Sequence, residues 1–477
     1  NSLQTHTVAS SGQLGSPKVF ADTARTVFGA MNSFETVTLS SGNQMVYGGI
    51  GSGSGIGCLT FSPTGALLRA NIMADTSASH AGSVVDTTYI NIGGTDYLIS
   101  ASGGSDIGVS TWAIQPNGQL QHVASIAPDT GLWVSDPTSL TAVNVDGTTY
   151  VVLASAGSNS LTVLKVFPQG QLTITDHLLD DRDSRFEGVA DLKTLEHHGQ
   201  TYVIVGGADD GISLFVLMPN GQLVARGHIE DTTAMGLENV SAIEARSSGN
   251  GIDIFVASSS EDGITRLRFE TGIGGSTRHA GTAGGTLHGT AGADMLIGAG
   301  GADVLFGDGG DDIIRDGDGA DILTGGLGAN TFIFDFDTHT DTIRDFTLGE
   351  DRIDLSNWPG LRSLNQLGLE MRPDGLLITY GTERLIVQSA NGAPINPASL
   401  TSADLLGTVR LPSEITEGFA SPNPVTPDLP DAQLYIAPIF IPSASPFADR
   451  NTVIQSQITG GSAQDTIAGT DTNNIIS

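Results

Sequence analysis

From residue 289 to residue 333 the chain reads in nines: 289–297, 298–306, 307–315, 316–324 and 325–333. The sixth position of each unit is Asp294, Asp303, Asp312, Asp321 and finally Asn330, and the eighth is Leu296, Leu305, Ile314, Leu323 and Phe332. A period this short leaves room for a glycine turn of about six residues and a strand of about three, with the apolar eighth residue pointing inward. Glycines permit positive φ and let the turn expose its carbonyl oxygens. Turns alternate sides, so units two apart stack. Stacked turns bring together aspartates and carbonyls, an oxygen-only ligand set that suits a hard cation. The charge balance agrees: 20 Lys and Arg oppose 52 Asp and Glu, a formal net charge of −32. Such a chain is a poor partner for nucleic acid or anionic membranes and a good one for divalent cations. Without cations the repeat aspartates repel one another, and the segment is expected to be disordered.

These units resemble the calcium-binding repeats of the RTX family of type I-secreted proteins, including the C-terminal part of serralysin-like proteases. In that family one turn supplies the carbonyls of positions two and four with its aspartate, and the turn two units on supplies those of positions one and three with its own. The resemblance implies about three calcium ions. The first would use Thr290, Gly292 and Asp294 with Gly307, Gly309 and Asp312. The second would use Ala299, Gly301 and Asp303 with Asp316, Asp318 and Asp321. The third would use Asp308, Gly310 and Asp312 with Gly325, Leu327 and Asn330, weaker because Asn330 carries no charge. The segments 341–346 and 351–356 are similar to the stretch just beyond the roll in serralysin-like proteins, and strands near 376–380 and 384–388 should cap it. The resemblance also implies export from a Gram-negative bacterium, to the medium or the cell surface.

The first half has a longer repeat. A Gly-x-Leu turn recurs at Gly12, Gly65, Gly118, Gly170 and Gly221, and an aspartate comes after each (Asp22, Asp75, Asp129, Asp181, Asp231), at spacings of 50–54 residues. Each unit holds four short β-like runs, as a propeller blade does. After Asp231 only three strands remain, and the segment 12–21 is the spare fourth, so pairing the two ends would close a ring of five blades. The strings Pro-Asn-Gly-Gln-Leu at Pro116 and Pro219 resemble turns of the lactonase-like propeller family, from whose usual seven blades this count departs. The expectation is an all-β chain, a five-bladed β-propeller followed by a calcium-binding parallel β-roll. The propeller would span 1–272, the roll and its cap 273–408, a Pro-rich linker or arm 409–457, and a second repeat segment would begin at 458–477. Two further nonapeptides there, at 460–468 and 469–477, are too few for a roll alone. Either the natural chain continues or they pair with another roll, in a neighbouring subunit.

Specific catalytic chemistry is absent from the sequence. There is no His-Glu-x-x-His helix and no Gly-x-Ser-x-Gly elbow, and the His197-His198 pair reads as an exposed hairpin turn. Cys58 is the single cysteine, which excludes an intrachain disulfide, and no apolar run is long enough to span a bilayer. Asp136, Glu187 and Glu238 recur at the start of innermost strands, with Glu35 in a similar place. They form a candidate channel site for a metal or sugar, against the plainer reading that they cap loops. The functional expectation is a secreted, non-catalytic calcium-binding protein whose propeller binds a ligand, a surface component or other copies of itself, in adhesion or assembly. The alternative is a secreted hydrolase, lactonase-like or carbohydrate-active, with its site in the propeller channel.

Overall fold

The computed structural model describes residues 2–6, 13–21, 31–50, 55–181, 184–232, 235–410 and 456–458. Five antiparallel four-stranded sheets form the propeller, the first four each a meander in sequence order. Blade 1 runs through Glu35–Thr38, Gln44–Gly49, Ile56–Phe61 and Leu67–Met73. Blade 2 occupies Val84–Ile92 to Leu120–Ile126, blade 3 Pro137–Val145 to Leu172–Leu179, and blade 4 Asp191–His197 to Leu223–Glu230. Blade 5 begins with Val240–Ser248, Gly251–Ser258 and Ile264–Glu270. The first strands of successive blades lie side by side and are therefore innermost. Asp86 and Asp191 stitch them, accepting the N–H groups of Leu140 and Ile243 on the next blade at 2.8 and 2.7 Å.

The long repeat exists because neighbouring blades must be joined at their outer ends as well. Tyr47, Tyr97 and Tyr150 are buried on second strands, and each donates its hydroxyl to a carbonyl of the next blade's Gly-x-Leu turn. The acceptors are Gly118, Pro168 and Pro219, at 2.9, 3.0 and 2.7 Å. Two of the recurring aspartates cap blade-to-blade loops: Asp75 accepts from Ser79 Oγ and Ala81 N, and Asp231 from Leu237 N. Between blades 3 and 4 the neighbour Asp180 takes this part, binding Ser184 Oγ and Phe186 N. Asp22 lies outside the described residues.

The ends differ from the expectation of closure by the N-terminal strand. The fourth position of the fifth sheet is held by Ser456–Ile458, antiparallel to Ile264–Arg266. Lys18–Ala21 pairs instead with Ser2–Thr5, because Phe20 finds an edge-on partner in Phe61 of blade 1, 5.4 Å between ring centres. The arm at 411–455 and the terminal nonapeptides fall outside the described residues.

The roll begins at Gly274, just after the last propeller strand ends at Glu270. One parallel sheet stacks Gly274–His279, Ala293–Ile297, Ile313–Arg315, Thr331–Ile333 and Arg352–Asp354. The other stacks Thr286–Thr290, Val304–Asp308, Ile322–Thr324 and Thr340–Phe346, then continues into Glu383–Ser389, Gly375–Tyr380 and Gly368–Arg372. The register pairs Leu296 with Ile314 and Ile314 with Phe332, as it pairs Leu305 with Leu323. These eighth-position residues have no exposed surface and form one core with Phe334, Ile343, Trp358 and the cap. Burying each aliphatic side chain contributes roughly 1.5–3 kcal/mol.

The outward face of the first sheet is also apolar. Met295, Ile297, Ile313 and Ile333 are buried against blades 4 and 5, in a cluster with Tyr202, Ile252 and Leu267. Tyr202 is the blade 4 counterpart of the turn-bonding tyrosines, but blade 5 offers no Gly-x-Leu turn, so its hydroxyl turns to Gln200 and the roll packs around it. Arg410 is also buried, donating to Asp176 of blade 3, to the Leu223 carbonyl of blade 4 and to Ser356 Oγ.

Candidate metal centre

The turns between roll strands determine what the molecule can bind. The fourth-position glycines of four successive units, Gly301, Gly310, Gly319 and Gly328, have φ of 79°, 107°, 141° and 113°, which side chains rarely adopt. At Gly307, a first-position glycine, a Cβ would run into the Asp312 carboxylate and the Gly325 carbonyl. Glycine is therefore required both for the turn and for the close approach of stacked backbones.

Turns 18 residues apart are stacked as the sequence reading pairs them. Thr290 lies against Gly309, whose N–H reaches its carbonyl at 3.1 Å, and Ala299 accepts from Asp318 N at 2.6 Å. Asp308 and Leu327 meet in the same way at 3.1 Å, and Gly310 N–H donates to the Leu327 carbonyl at 2.9 Å. Gly292 sits against Gly310, Gly301 against Gly319, and Gly307 against Gly325. Asp308 adopts the left-handed conformation at φ 70° and is exposed.

The sixth-position residues form two buried ladders. On one side Asp294 N donates to Asp312 at 2.7 Å, Asp312 N to Asn330 at 3.1 Å, and Asn330 N to Asp351 at 2.9 Å. On the other, Asp303 N donates to Asp321 at 2.6 Å and Asp321 N to Asp341 at 2.9 Å. Asp294, Asp303, Asp312 and Asp321 are at most 1% exposed. One oxygen of each carboxylate is thus committed to backbone. The second oxygens differ: Asp294 gives its own to Thr290 N and Oγ1. Asp303 Oδ1, Asp312 Oδ2, Asp316 Oδ2 and Asp321 Oδ2 are buried with no hydrogen-bond donor.

A buried carboxylate oxygen without a donor is costly, and the cost falls on the charged form. Burial raises Asp312 to about 8, with the Asp294 charge adding to it and the Asp294 N–H opposing it. Burial lifts Asp321 to about 6, Asp341 to about 7 and Asp351 to about 6, and Asp316 stands well above the ordinary carboxylate range. Carboxylates held this way fit a bound cation, which would fill the empty acceptor positions and restore the ionised state. Residues whose carbonyls and carboxylates could hold calcium are those of the three stacked pairs. Asp341 and Asp351 extend both ladders beyond the repeats. The sequence reading missed them as ladder members because each lies more than 18 residues on, Asp341 20 after Asp321 and Asp351 21 after Asn330.

The propeller carboxylates do not converge in this way. Asp136, Glu187 and Glu238 are exposed, and their main-chain carbonyls hold the adjoining loops: Asp136 O accepts from Ala156 N at 2.9 Å, Glu187 O from Ala208 N at 2.8 Å, and Glu238 O from Ser258 Oγ. Glu35 opens the inner strand of blade 1 and is half-buried, its carboxyl raised by burial and by Asp86. Among the described residues, the one group of three or more acidic, His or Cys side chains whose ligand atoms lie within 4.8 Å of each other is Asp316, Asp321 and Asp341. His197 corrects another reading: it ends the strand before the hairpin turn and is buried, bonded to Ser247 Oγ at 2.7 Å and Thr271 Oγ1 at 2.8 Å. Those bonds tie blade 4 to blade 5.

The family model for the RTX calcium-binding nonapeptide repeat matches residues 279–314 and 298–332. No curated protein matches the sequence. Among solved structures, a Pseudomonas aeruginosa periplasmic gluconolactonase is 16% identical, with a TM-score of 0.42, over 56% of this chain and 73% of that one. A protein from Lactobacillus plantarum is 18% identical, with a TM-score of 0.38, over 48% of this chain. The chain spans 64% of that protein's length. A subunit of the Azotobacter vinelandii mannuronan C5-epimerase is 23% identical, with a TM-score of 0.21, over 34% of this chain and 94% of its own. No helix among the described residues is long and apolar enough to cross a membrane. Residues 279–332 are RTX calcium-binding nonapeptide repeats, carried by an all-β chain beside a five-bladed propeller.

Proposed function

We propose that this is a secreted, non-catalytic calcium-binding protein whose roll folds on meeting extracellular calcium and whose propeller then presents a surface for a ligand or partner in adhesion or assembly. The observation that carries the calcium part is the set of buried carboxylate oxygens without donors at Asp303, Asp312 and Asp321. Three ions would sit between stacked turns. Thr290, Gly292 and Asp294 with Gly307, Gly309 and Asp312 hold the first, and Ala299, Gly301 and Asp303 with Asp316, Asp318 and Asp321 the second. Asp308, Gly310 and Asp312 with Gly325, Leu327 and Asn330 hold the third. Each ion would draw the facing carbonyls, which here accept N–H groups across the stack, toward itself.

Export supplies the reason for such a device. A chain that folds only when calcium is abundant can stay unfolded inside the cell and fold after release. The packing of Met295, Ile313 and Ile333 on blades 4 and 5 couples that event to the propeller. The test is circular dichroism of the full chain with and without chelator, then sizing after calcium is restored. A large calcium-dependent gain of β-signal, with association appearing only in calcium, supports the reading. A chelator-insensitive spectrum removes the calcium-folding part, and a monomer at all calcium concentrations removes self-assembly.

A further inference from the structure

The fifth blade is built differently from the other four. Up to that point each pair of neighbouring blades shares an apolar cluster. Blade 1 meets blade 2 through Tyr47 and Trp112, blade 2 meets blade 3 through Ile99 and Val151, and blade 3 meets blade 4 through Val152 and Val203. Blade 5 gives one face, with Ile252, Ile254 and Leu267, to blade 4 and the roll. No apolar cluster among the described residues joins its other face to blade 1. The far face of blade 1 is covered instead by the N-terminal hairpin, where Leu3 and Phe20 pack on Leu59 and Phe61.

That other face of blade 5 is charged. The register sets Arg246, Asp253 and Arg268 in one cross-strand row and Glu244, Phe255 and Arg266 in the next, and residues directly opposite point to the same side. Asp253 is fully buried beneath three guanidinium groups, 3.2 Å from Arg246, 2.9 Å from Arg266 and 3.2 Å from Arg268. Arg268 also meets Glu270 at 2.6 Å, and Glu244 is taken by Lys193 of blade 4 at 2.7 Å. A positive charge is left over, on a chain whose net charge is −32. Arg246, over the Phe255 ring, and Arg266 leave 55% and 37% of their side chains exposed. Arg266 Nε is buried with no acceptor. A guanidinium presents its N–H donors in a fork that matches a carboxylate.

Chain connectivity brings one source of carboxylates to this face. Residues 411–455 follow Arg410, which is bonded to blades 3 and 4, and end where Ser456 pairs with Arg266 on the edge of the same sheet. That stretch carries Glu414, Glu417, Asp428, Asp431 and Asp449 against Arg450 alone. Its 45 residues can reach up to ~150 Å, several times the width of a small domain. Eight prolines remove backbone donors, which leaves contact to side chains. A tethered segment also meets its site at an effective concentration of about millimolar, which favours it over any free acidic partner.

We propose that the acidic arm 411–455 docks on the charged face of blade 5, its carboxylates taking the free N–H groups of Arg246 and Arg266. The arm then holds Ser456–Ile458 against the blade. The proposal does not depend on the calcium reading of the roll.

The test is phenylglyoxal labelling of the full chain in calcium, with each arginine followed by mass spectrometry. A variant carrying Glu414→Gln, Glu417→Gln, Asp428→Asn and Asp431→Asn alters the arm and leaves every blade intact. Arg246 and Arg266 should label at least about threefold faster in it than in the wild type, the change that one or two exposed ion pairs give. Arg69, exposed on blade 1, should label equally in both. From the other side, Arg246→Gln should speed chymotrypsin cleavage after Phe419 and Tyr435. Equal labelling of Arg246 and Arg266 in the two chains overturns the proposal. So does labelling that slows as protein concentration rises, which would assign the face to a second copy.

Discussion

Asp312 lies midway in its ladder, with one oxygen taken by Asp294 N–H and the other without a donor, and stacked turns on both sides of it. Asp294, at the start of the same ladder, has both oxygens satisfied by Ser276 and Thr290. The two should therefore respond differently. Asp312→Asn should raise the calcium concentration needed for folding at least about tenfold, and Asp294→Asn should raise it less, as read by titration calorimetry or dichroism. Gly310→Ala places a Cβ at φ 107° and against the Gly292 backbone. It should cost about 1–3 kcal/mol, seen as a lower melting temperature in saturating calcium. The raised carboxylates also set a pH dependence. In the ion-free fold Asp321, Asp351, Asp341 and Asp312 hold protons to about pH 6–8, whereas the unfolded chain releases them near 4. The folded state then binds more protons, so ion-free stability is fullest below about pH 4 and falls as pH rises through that window. Calcium-stripped protein should melt higher at pH 5 than at pH 8, and saturating calcium should reverse the order.

Two elements meet along the face where the roll covers blades 4 and 5. Arg410, which follows the cap, and Asp176 of blade 3 are both less than 10% exposed and pair with each other, with the Leu223 carbonyl of blade 4 as a further acceptor. Removing one partner strands a buried charge, so Arg410→Ala should cost about 3–5 kcal/mol, and Asp176→Asn in the same chain should recover part of it. A double-mutant cycle by thermal or denaturant unfolding measures both. Much of the element level was legible in advance, because a strict period of nine fixes strand, turn and inward position together. The blades were legible for a similar reason, the tyrosine-to-turn bond being rebuilt at three successive steps. What escaped was what periodicity does not encode. Nothing in Met295 or Ile313 says that the outer face of one roll sheet is covered while Val304 and Ile322, on the other, are partly open. Nothing in Lys18–Ala21 says that Phe20 meets Phe61 of blade 1 while Ser456–Ile458 takes the fourth position of blade 5. Asp341 and Asp351 were hidden by insertions of two and three residues that break the count of 18.

Taken whole, the molecule joins a propeller braced by its own buried tyrosines and aspartates to a roll whose inner carboxylates need something more than the chain provides. A net charge of −32 works against compaction everywhere, most of all where aspartates line up. The central claim is that calcium supplies the missing partner and makes the roll fold. Hydrogen–deuterium exchange of the full chain, read over residues 289–333 in calcium and in excess chelator, tests it most directly. Calcium-driven folding predicts strong protection of these amides in calcium and near-complete loss of it in chelator, with blades 2 and 3 protected in both. Equal protection of 289–333 under the two conditions would contradict it.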